Sequence, residues 1–270
     1  MSWEPSPPYR RKKSLLIGIN YTGSAHQLQG CHTDIDAIAD FISYRGYTNT
    51  RRNRVILSDL PGVPWSSPYY PTGRNILAAM DWLVAEPDCT LFLHCSGHGS
   101  QIEDRDGKRL TGLDDSIVPM DFEHEGQILS GVLHERLVTR MAPGCTLFIV
   151  LDCCHSGSAI ELPFVYRSSG DRRINLPDNL KAGARLVEEA KDIMEGGLGV
   201  DRHMGEQEEE GLQEGEFAGQ FGSEWKVVTM LSGCRDDQTS ADALIQGENT
   251  GALTWAFLQT MRRVGSLMYV

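Results

Sequence analysis

The chain has 270 residues, 40% of them hydrophobic, which is enough apolar material for the core of one full domain. Its formal net charge of −12 argues against a general nucleic-acid binder, because such proteins neutralise phosphates with a basic surface. The acidity is concentrated in residues 186–216, which contain eleven acidic residues and only two basic ones. Seven cysteines without a CxxC pair favour free thiols in a reducing compartment. With neither a signal-peptide pattern nor an apolar run of membrane-spanning length, we expect a cytoplasmic protein that binds no membrane.

The N-terminal third alternates short apolar runs with helical patterns. Residues 1–13 contain three prolines and end in a basic run, so we expect a flexible, solvated tail. Buried strands are predicted at Leu15–Ile19 and Val55–Leu57. Between them, a turn at residues 30–34 precedes a helix that Thr33 or Asp34 caps. Thr72 is predicted to cap a further helix, whose buried side carries four apolar residues: Ile76, Leu77, Met80 and Val84.

Two longer apolar runs end in residues with reactive side chains. The first, TLFLHCSGHGS at 90–100, reads as a buried strand that ends at His98 between two glycines. The second, TLFIVLDCCHSGS at 146–158, ends in an acid, two thiols and an imidazole. Between the two runs we expect a polar surface loop at 101–114, a short strand at 117–120 and a helix at 132–141 whose inward residues are Leu133, Leu137 and Met141.

The remainder of the chain falls into two parts. Residues 167–224 are rich in Gly, Glu and Arg, which predicts a flexible acidic insertion, lid-like or disordered. Within residues 225–270, the apolar pattern predicts a core strand at 225–231 and a helix at 252–261. Strands that alternate with helices predict an α/β fold, a three-layer α/β/α sandwich around a mostly parallel sheet.

A cysteine and a histidine at the ends of two core strands are typical of a nucleophilic site. Strand alternation sends Cys153 and Cys154 to opposite faces, so one is packed and the other faces the cleft. Cys154, next to the glycine turn, is the better candidate for the nucleophile, and His98 is the candidate base. His94 lies inside its apolar run and reads as a core histidine, while His155 would have to fold back to reach the sulfur. A zinc site formed by these cysteines, His155 and His98 is the alternative, although adjacent cysteines are poor tetrahedral ligands.

Six separate segments carry recognisable motifs: LLIGINY (15–21), LQGCHTD (28–34), SGHGS (96–100), DCCHSGS (152–158), SGCRDDQTSAD (232–242) and TGALTWAF (250–257). Together they resemble the type I metacaspases, cysteine endopeptidases with the caspase–haemoglobinase fold. The resemblance extends from about Leu15 to Val264, outside the acidic insertion, and the motifs occur in the family's order. It implies a large, p20-like part at 14–166 and a small, p10-like part at 225–270, in a monomer that cleaves proteins or peptides.

The resemblance also implies roles for individual residues. His98 and Cys154 would form the catalytic dyad, with the backbone N–H groups of Gly99 and Cys154 as oxyanion donors. The family cleaves after Arg or Lys, and the positions of its S1 pocket are here Asp34, Asp152, Cys31 and Ser96. Paired carboxylates favour a cationic P1 side chain by charge alone. Family zymogens cut themselves between their two parts, so we expect self-processing within 167–224.

Two departures from the family pattern support a competing hypothesis. The family's calcium ligands fall at Asp114, Ser130, Gly131 and Glu161, so two of four carboxylates are missing and we expect weak or absent calcium activation. The family also continues for a helix and a strand past the point at which this sequence stops, so the small part is expected to be short. The alternative to an enzyme is therefore a caspase-like scaffold or regulatory protein with little or no proteolytic activity. Hydrolysis of a peptide with Arg at P1 discriminates between the two.

Overall fold

The computed structural model describes residues 10–104, 112–153, 159–160, 162, 226–233, 242–245 and 248–267. A five-stranded sheet forms its centre, with all neighbouring strands parallel. In spatial order the strands are β2 (Arg54–Ser58), β1 (Arg11–Gly18), β3 (Cys89–Ser96), β7 (Thr146–Asp152) and β8 (Val227–Ser232). The predicted α/β class with a mostly parallel sheet is confirmed.

Helices cover both faces of this sheet. They are α1 (Cys31–Tyr44), α2 (Gly73–Val84), α3 (Phe122–Glu125), α4 (Ser130–His134), a π-helical turn (Glu135–Thr139) and α5 (Ala252–Leu267). Within the described part of the chain, no helix has the length and apolar content needed to cross a membrane.

The central strands are apolar on both sides because each side is covered by helices. On one side, Leu15 and Ile17 of β1 pack with Ile76 of α2 and with Leu133 and Leu137. On the other side, the ring of Phe148 in β7 stacks on Phe92 of β3 and on Phe257 of α5, with centroid distances of 6.0 and 6.1 Å. Phe257 also meets Phe41 of α1 edge to face at 5.7 Å. These contacts fix α5 against α1 and the sheet.

Antiparallel strands were not foreseen between the two reactive segments. β4 (Gly99–Glu103), β5 (Leu113–Ile117) and β6 (Ile128–Leu129) form a three-stranded sheet. The surface loop predicted at 101–114 is therefore wrong at its ends. The strand predicted at 117–120 is wrong in its bounds, since β5 covers Leu113–Ile117 and shares only Ile117 with it. A hairpin of β9 (Asp242–Ile245) and β10 (Glu248–Gly251) precedes α5. The helix predicted at 132–141 is confirmed as α4 and the π-helical turn, and its three inward residues are buried.

The basic run before β1 is part of the sheet, which corrects the expected end of the tail at residue 13. β1 begins at Arg11, and Lys13 is fully buried. The Lys13 ammonium donates to the Trp82 carbonyl at 2.5 Å, lies over the Trp82 ring and pairs with Glu86. Its aliphatic stem packs in the core while its charge is compensated, which is how a lysine tolerates burial.

Candidate active site

The carboxyl ends of β1, β3 and β7 lie at one edge of the sheet. The register pairs Gly18 with Ser96 and Ser96 with Asp152, so the segments after β3 and β7 begin side by side. The backbone N–H of Gly97 donates to the Asp152 carbonyl at 3.3 Å across this gap. Ligands bind at such an edge in open α/β sheets. β3 and β7, the strands that precede His98 and the DCCHSGS segment, are therefore neighbours in the sheet.

Of the two residues expected to form the dyad, His98 lies within the described residues and Cys154 lies outside them. The imidazole Nε2 of His98 is 2.7 Å from the carbonyl oxygen of His26. A carbonyl only accepts hydrogen bonds, so Nε2 carries the proton in the neutral ring and Nδ1 keeps its lone pair. The backbone N–H of His98 donates to the Tyr21 hydroxyl at 3.0 Å. His98 is half-buried and therefore accessible at the sheet edge.

The competing base His94 is a core histidine, as the sequence indicated. It is fully buried, and its Nε2 is 3.0 Å from the Thr254 hydroxyl. Burial lowers the pKa of His94 to about 3, so the ring stays neutral. His155, the other candidate, lies outside the described residues.

Cys153 is the packed member of the cysteine pair. It is fully buried, and its sulfur lies 3.9 Å from the sulfur and 3.6 Å from the carbonyl oxygen of Cys95. The contact with Cys95 and burial raise the pKa of Cys153 well above its ordinary value. A zinc ligand must be a thiolate, and Cys153 stays a thiol on the core side of the strand. This arrangement disfavours the zinc alternative.

The expected S1 acids are both buried and lie close together. A Cβ placed on Gly251 would overlap the Asp152 carboxylate and would come within 3.0 Å of Asp34 Oδ2. Only glycine fits between the two carboxylates. Asp34 and Asp152 therefore converge on one point at the sheet edge, although they are 118 positions apart in the sequence.

Asp34 sits in a dense set of donors. Its carboxylate accepts hydrogen bonds from the Ser96 hydroxyl at 2.7 Å and the Thr250 hydroxyl at 2.6 Å. The Gly251 N–H adds contacts of 3.0 and 3.1 Å to its two oxygens. Burial raises the pKa of Asp34 to about 6, since it outweighs the stabilisation of the charged form by these donors, and the negative charge of Asp152 adds to the rise.

Asp34 is not the N-cap that the sequence also allowed. α1 begins at Cys31 after Gly30, so Asp34 is the fourth helical residue and its side chain points to Ser96 and Thr250. Cys31 opens the helix one turn earlier, is buried, and donates its N–H to the Asn20 side chain at 3.0 Å. Of the four expected S1 residues, the structure brings Asp34, Ser96 and Asp152 into one cluster. Cys31 lies one helical turn before Asp34 in α1.

Several residues of this edge were not assigned a role from the sequence. Thr250 and Gly251 hold Asp34, and the Thr254 N–H in the first turn of α5 donates to Asp152 Oδ2 at 2.7 Å. The TGALTWAF segment was visible as a motif, but its role depends on contacts with residues more than 100 positions away. His26 contacts His98 through its backbone carbonyl, so its side-chain type gives no sequence signal for this contact.

Two of the four expected calcium positions, Ser130 and Gly131, carry no carboxylate. The Ser130 hydroxyl donates a hydrogen bond to Asp114 Oδ1, while Gly131 offers no side chain and Glu161 lies outside the described residues. Nearby Asp115 is buried and accepts a hydrogen bond from Gln101 across the β4–β5 pair at 3.0 Å. Across the described ranges, no three His, Cys, Asp or Glu side chains are grouped so that they could hold a metal ion. Calcium prefers six to eight oxygen ligands with several carboxylates.

We therefore expect peptidase activity to change less than about twofold between chelator and millimolar calcium, because two ligand charges are missing. The double variant Ser130→Asp with Gly131→Asp restores those charges and is expected to gain a calcium response. The measurement is a calcium titration of peptide hydrolysis with both proteins. Full activation of the wild type at micromolar calcium would contradict this expectation.

Residues 12–163 match the family described as Metacaspase, peptidase C14 domain. The chain belongs to the metacaspase family. Metacaspase-1A of Aspergillus terreus is 38% identical over 268 residues, covering 96% of this chain and 65% of that protein. Metacaspase-1 of Saccharomyces cerevisiae (strain S288c) is 38% identical over 265 residues, covering 93% of this chain and 59% of that protein. The chain thus spans less than two thirds of the length of these two relatives.

A solved structure matches the fold alone. The crystal structure of a Geobacter sulfurreducens protein superposes with a TM-score of 0.54 at 18% sequence identity, over 94% of this chain and 83% of that one.

Proposed function

We propose that the chain is a cysteine endopeptidase that cleaves proteins or peptides after Arg or Lys. The observation that carries the proposal is the pair of buried carboxylates, Asp34 and Asp152, at the sheet edge where the strands that precede His98 and Cys154 end. Two acids in a low-dielectric recess attract a guanidinium or ammonium group and reject a carboxylate. Membership of a peptidase family supports the reaction class.

The chemical steps follow from the dyad. The Cys154 thiolate attacks the carbonyl carbon of the P1 residue, so an S–C bond forms and the carbonyl oxygen becomes an oxyanion. The N–H groups of Gly99 and Cys154 stabilise that oxyanion, and such donors contribute about 2.7–4 kcal/mol each. Protonated His98 gives its Nδ1 proton to the leaving amine as the C–N bond breaks.

The second half of the reaction returns the enzyme to its starting state. His98 Nδ1 takes a proton from water, which attacks the thioester and releases the acid product and the Cys154 thiolate. The contact between Nε2 and the His26 carbonyl supports this assignment, because it holds the tautomer in which Nδ1 accepts a proton.

A peptide assay tests the proposal directly. Fluorogenic peptides that differ only in P1 (Arg, Lys or Asp) are compared with the wild type and Cys154→Ala. We expect hydrolysis of the Arg and Lys peptides by the wild type alone. No hydrolysis of any of them by the wild type would favour the scaffold alternative, and preference for Asp would refute the P1 assignment.

The raised pKa of Asp34 makes the preference for Arg depend on pH. Above about 6 the carboxyl is charged and attracts the P1 cation, whereas below that value it is neutral. We expect the ratio of kcat/KM for an Arg peptide to kcat/KM for its uncharged citrulline isostere to fall as the pH is lowered from 7.5 to 5. The ratio cancels any pH dependence of the chemical step, which affects both substrates alike. A ratio that stays constant through this range would contradict the role of Asp34.

Self-processing follows from the same specificity. The segment 167–224 lies outside the described residues, but its sequence offers seven basic residues at which cleavage is expected: Arg167, Arg172, Arg173, Lys181, Arg185, Lys191 and Arg202. We expect purified wild type to give fragments that end at such residues and Cys154→Ala to stay intact. Mass spectrometry of both preparations is the measurement. Identical fragments from both would mean that another protease made the cuts.

A further inference from the structure

One loop, residues 20–28 between β1 and α1, encloses His98 from two directions. Backbone hydrogen bonds close it, from the Leu28 N–H to the Asn20 carbonyl at 2.7 Å and from the Ser24 N–H to the Tyr21 carbonyl at 3.0 Å. The His26 carbonyl contacts the imidazole Nε2 of His98, as described above. Tyr21, at the other end of the loop, makes a separate set of contacts with the same histidine.

The Tyr21 side chain touches both the backbone and the ring of His98. Its hydroxyl accepts a hydrogen bond from the His98 N–H at 3.0 Å and donates one to the Val118 carbonyl at 2.6 Å. Its ring centroid lies 4.6 Å from the centroid of the imidazole. Burial raises the pKa of Tyr21 well above its ordinary value, so the hydroxyl keeps the proton that it donates. The phenol thus connects His98 to the backbone after β5.

The backbone at Tyr21 is held in an unfavourable conformation. Its φ of 52° lies in the left-handed region, which is uncommon for a bulky residue and clusters at functional sites. The residues on either side are fixed by one carboxylate, since Asp59 accepts the N–H groups of Asn20 and Thr22, each at 2.8 Å. Asp59 also pairs with His32 at 2.7 Å. The surrounding contacts therefore maintain a conformation that directs the phenol at His98.

Gly97, the residue before His98, leaves space for the Tyr21 hydroxyl to approach the His98 backbone. A Cβ on Gly97 would lie only 3.3 Å from the Tyr21 hydroxyl oxygen, closer than most real Cβ contacts. A glycine here leaves room for the hydroxyl to reach the His98 N–H.

We propose that Tyr21 is a positioning residue, whose hydroxyl and ring fix the orientation of the His98 imidazole toward the nucleophile. This inference rests on the proposed function of His98 as the base of the dyad. The role assigned to Tyr21 is exerted through His98. Its contribution is geometric, because a displacement of about 1 Å in a catalytic group can lower a rate by about 100-fold.

The test compares Tyr21→Phe with a matched control, Tyr47→Phe. Both tyrosines are almost fully buried, but the Tyr47 hydroxyl has no hydrogen-bond partner among the described residues. We expect Tyr21→Phe to lower kcat for an Arg peptide about 10- to 100-fold with KM unchanged, while Tyr47→Phe behaves as wild type. If Tyr21 served only to pack the fold, Tyr21→Phe would change KM or thermal stability along with kcat. Such a result would overturn the proposal.

A second readout does not depend on turnover. The side-chain ¹⁵N resonances of labelled histidines report which ring nitrogen carries the proton. We expect His98 to occupy the Nε2–H tautomer in wild type and Tyr47→Phe, and a mixture of tautomers in Tyr21→Phe. Identical His98 spectra and kcat values for the two variants would refute the role of Tyr21. If the wild type hydrolyses no peptide, the proposed function fails, and the spectra alone decide whether Tyr21 orients the ring.

Discussion

Removal of either member of the dyad is expected to have the largest effect of any single change. His98→Ala loses the group that protonates the leaving amine and should lower kcat for an Arg peptide by at least about 1,000-fold. Cys154→Ala removes the nucleophile and should leave only the residual hydrolysis that the oxyanion donors and substrate binding support. Because the two residues act as a unit, the double variant should be no worse than Cys154→Ala alone. Steady-state kinetics on the three proteins is the measurement.

The control for this series is His124→Ala, which removes an exposed imidazole from α3 and is expected to leave kcat unchanged. A His98→Ala variant that keeps more than about a tenth of the wild-type kcat would mean that another group acts as the general acid.

Asp34→Asn is expected to have the second largest effect. The variant keeps the shape of the side chain but removes one of the two charges that face the P1 cation. Loss of one partner of a buried charge pair costs about 2–5 kcal/mol, so kcat/KM for an Arg peptide should fall at least about 30-fold. The citrulline peptide carries no charge, and its kcat/KM should change little.

The matched control is Asp36→Asn, the same change of charge on an exposed position of the same helix. This variant should retain wild-type discrimination between Arg and citrulline. Equal losses for the two peptides with Asp34→Asn would indicate damage to the fold and not loss of a specific contact.

Asp34→Asn is also expected to change the stability of the fold, in a direction that depends on pH. The pKa of Asp34 is raised in the folded state from 3.8 to about 6, so between these values the native protein binds more protons than the unfolded chain. Native stability therefore falls as the pH rises through this window. The difference in Tm between Asp34→Asn and wild type should accordingly favour the variant more at pH 7.5 than at pH 4.5. The cation pocket would thus be maintained at a cost in stability.

The parallel sheet was predictable because its strands carry their own signal. The runs that became β3 and β7 are mostly apolar and are buried over their whole length, which occurs when helices cover both faces of a strand. The Thr72 cap was also predictable, since a capping hydroxyl acts within its own turn and here accepts from Asn75.

The remaining features depend on partners distant in sequence. β4 and β5 are largely polar, so their strand character comes from pairing and not from apolar alternation. Lys13 was assigned to a solvated tail because lysine is almost never buried without a partner, and its partners lie in α2 and the residues after it.

The candidate site likewise has features that were predictable from the sequence and features that were not. The residues proposed to do the chemistry were identified from their types and from the family motifs, because a histidine or aspartate at a strand end is visible in the sequence. The groups that orient them were not found. The Thr250 contact with Asp34 spans 216 positions, and Tyr21 and the His26 carbonyl act on His98 through loop geometry. Such contacts are set by tertiary packing, which no local pattern encodes.

The central claim is that a reactive Cys154 lies beside a pocket for a cationic side chain. An acyloxymethyl ketone with arginine at P1 tests it, because the thiolate displaces the carboxylate leaving group and keeps the inhibitor as a stable thioether. Mass spectrometry should find one adduct per chain, on Cys154, formed much faster than with the P1-aspartate reagent. An adduct on another cysteine, or equal rates for the two reagents, would contradict the account.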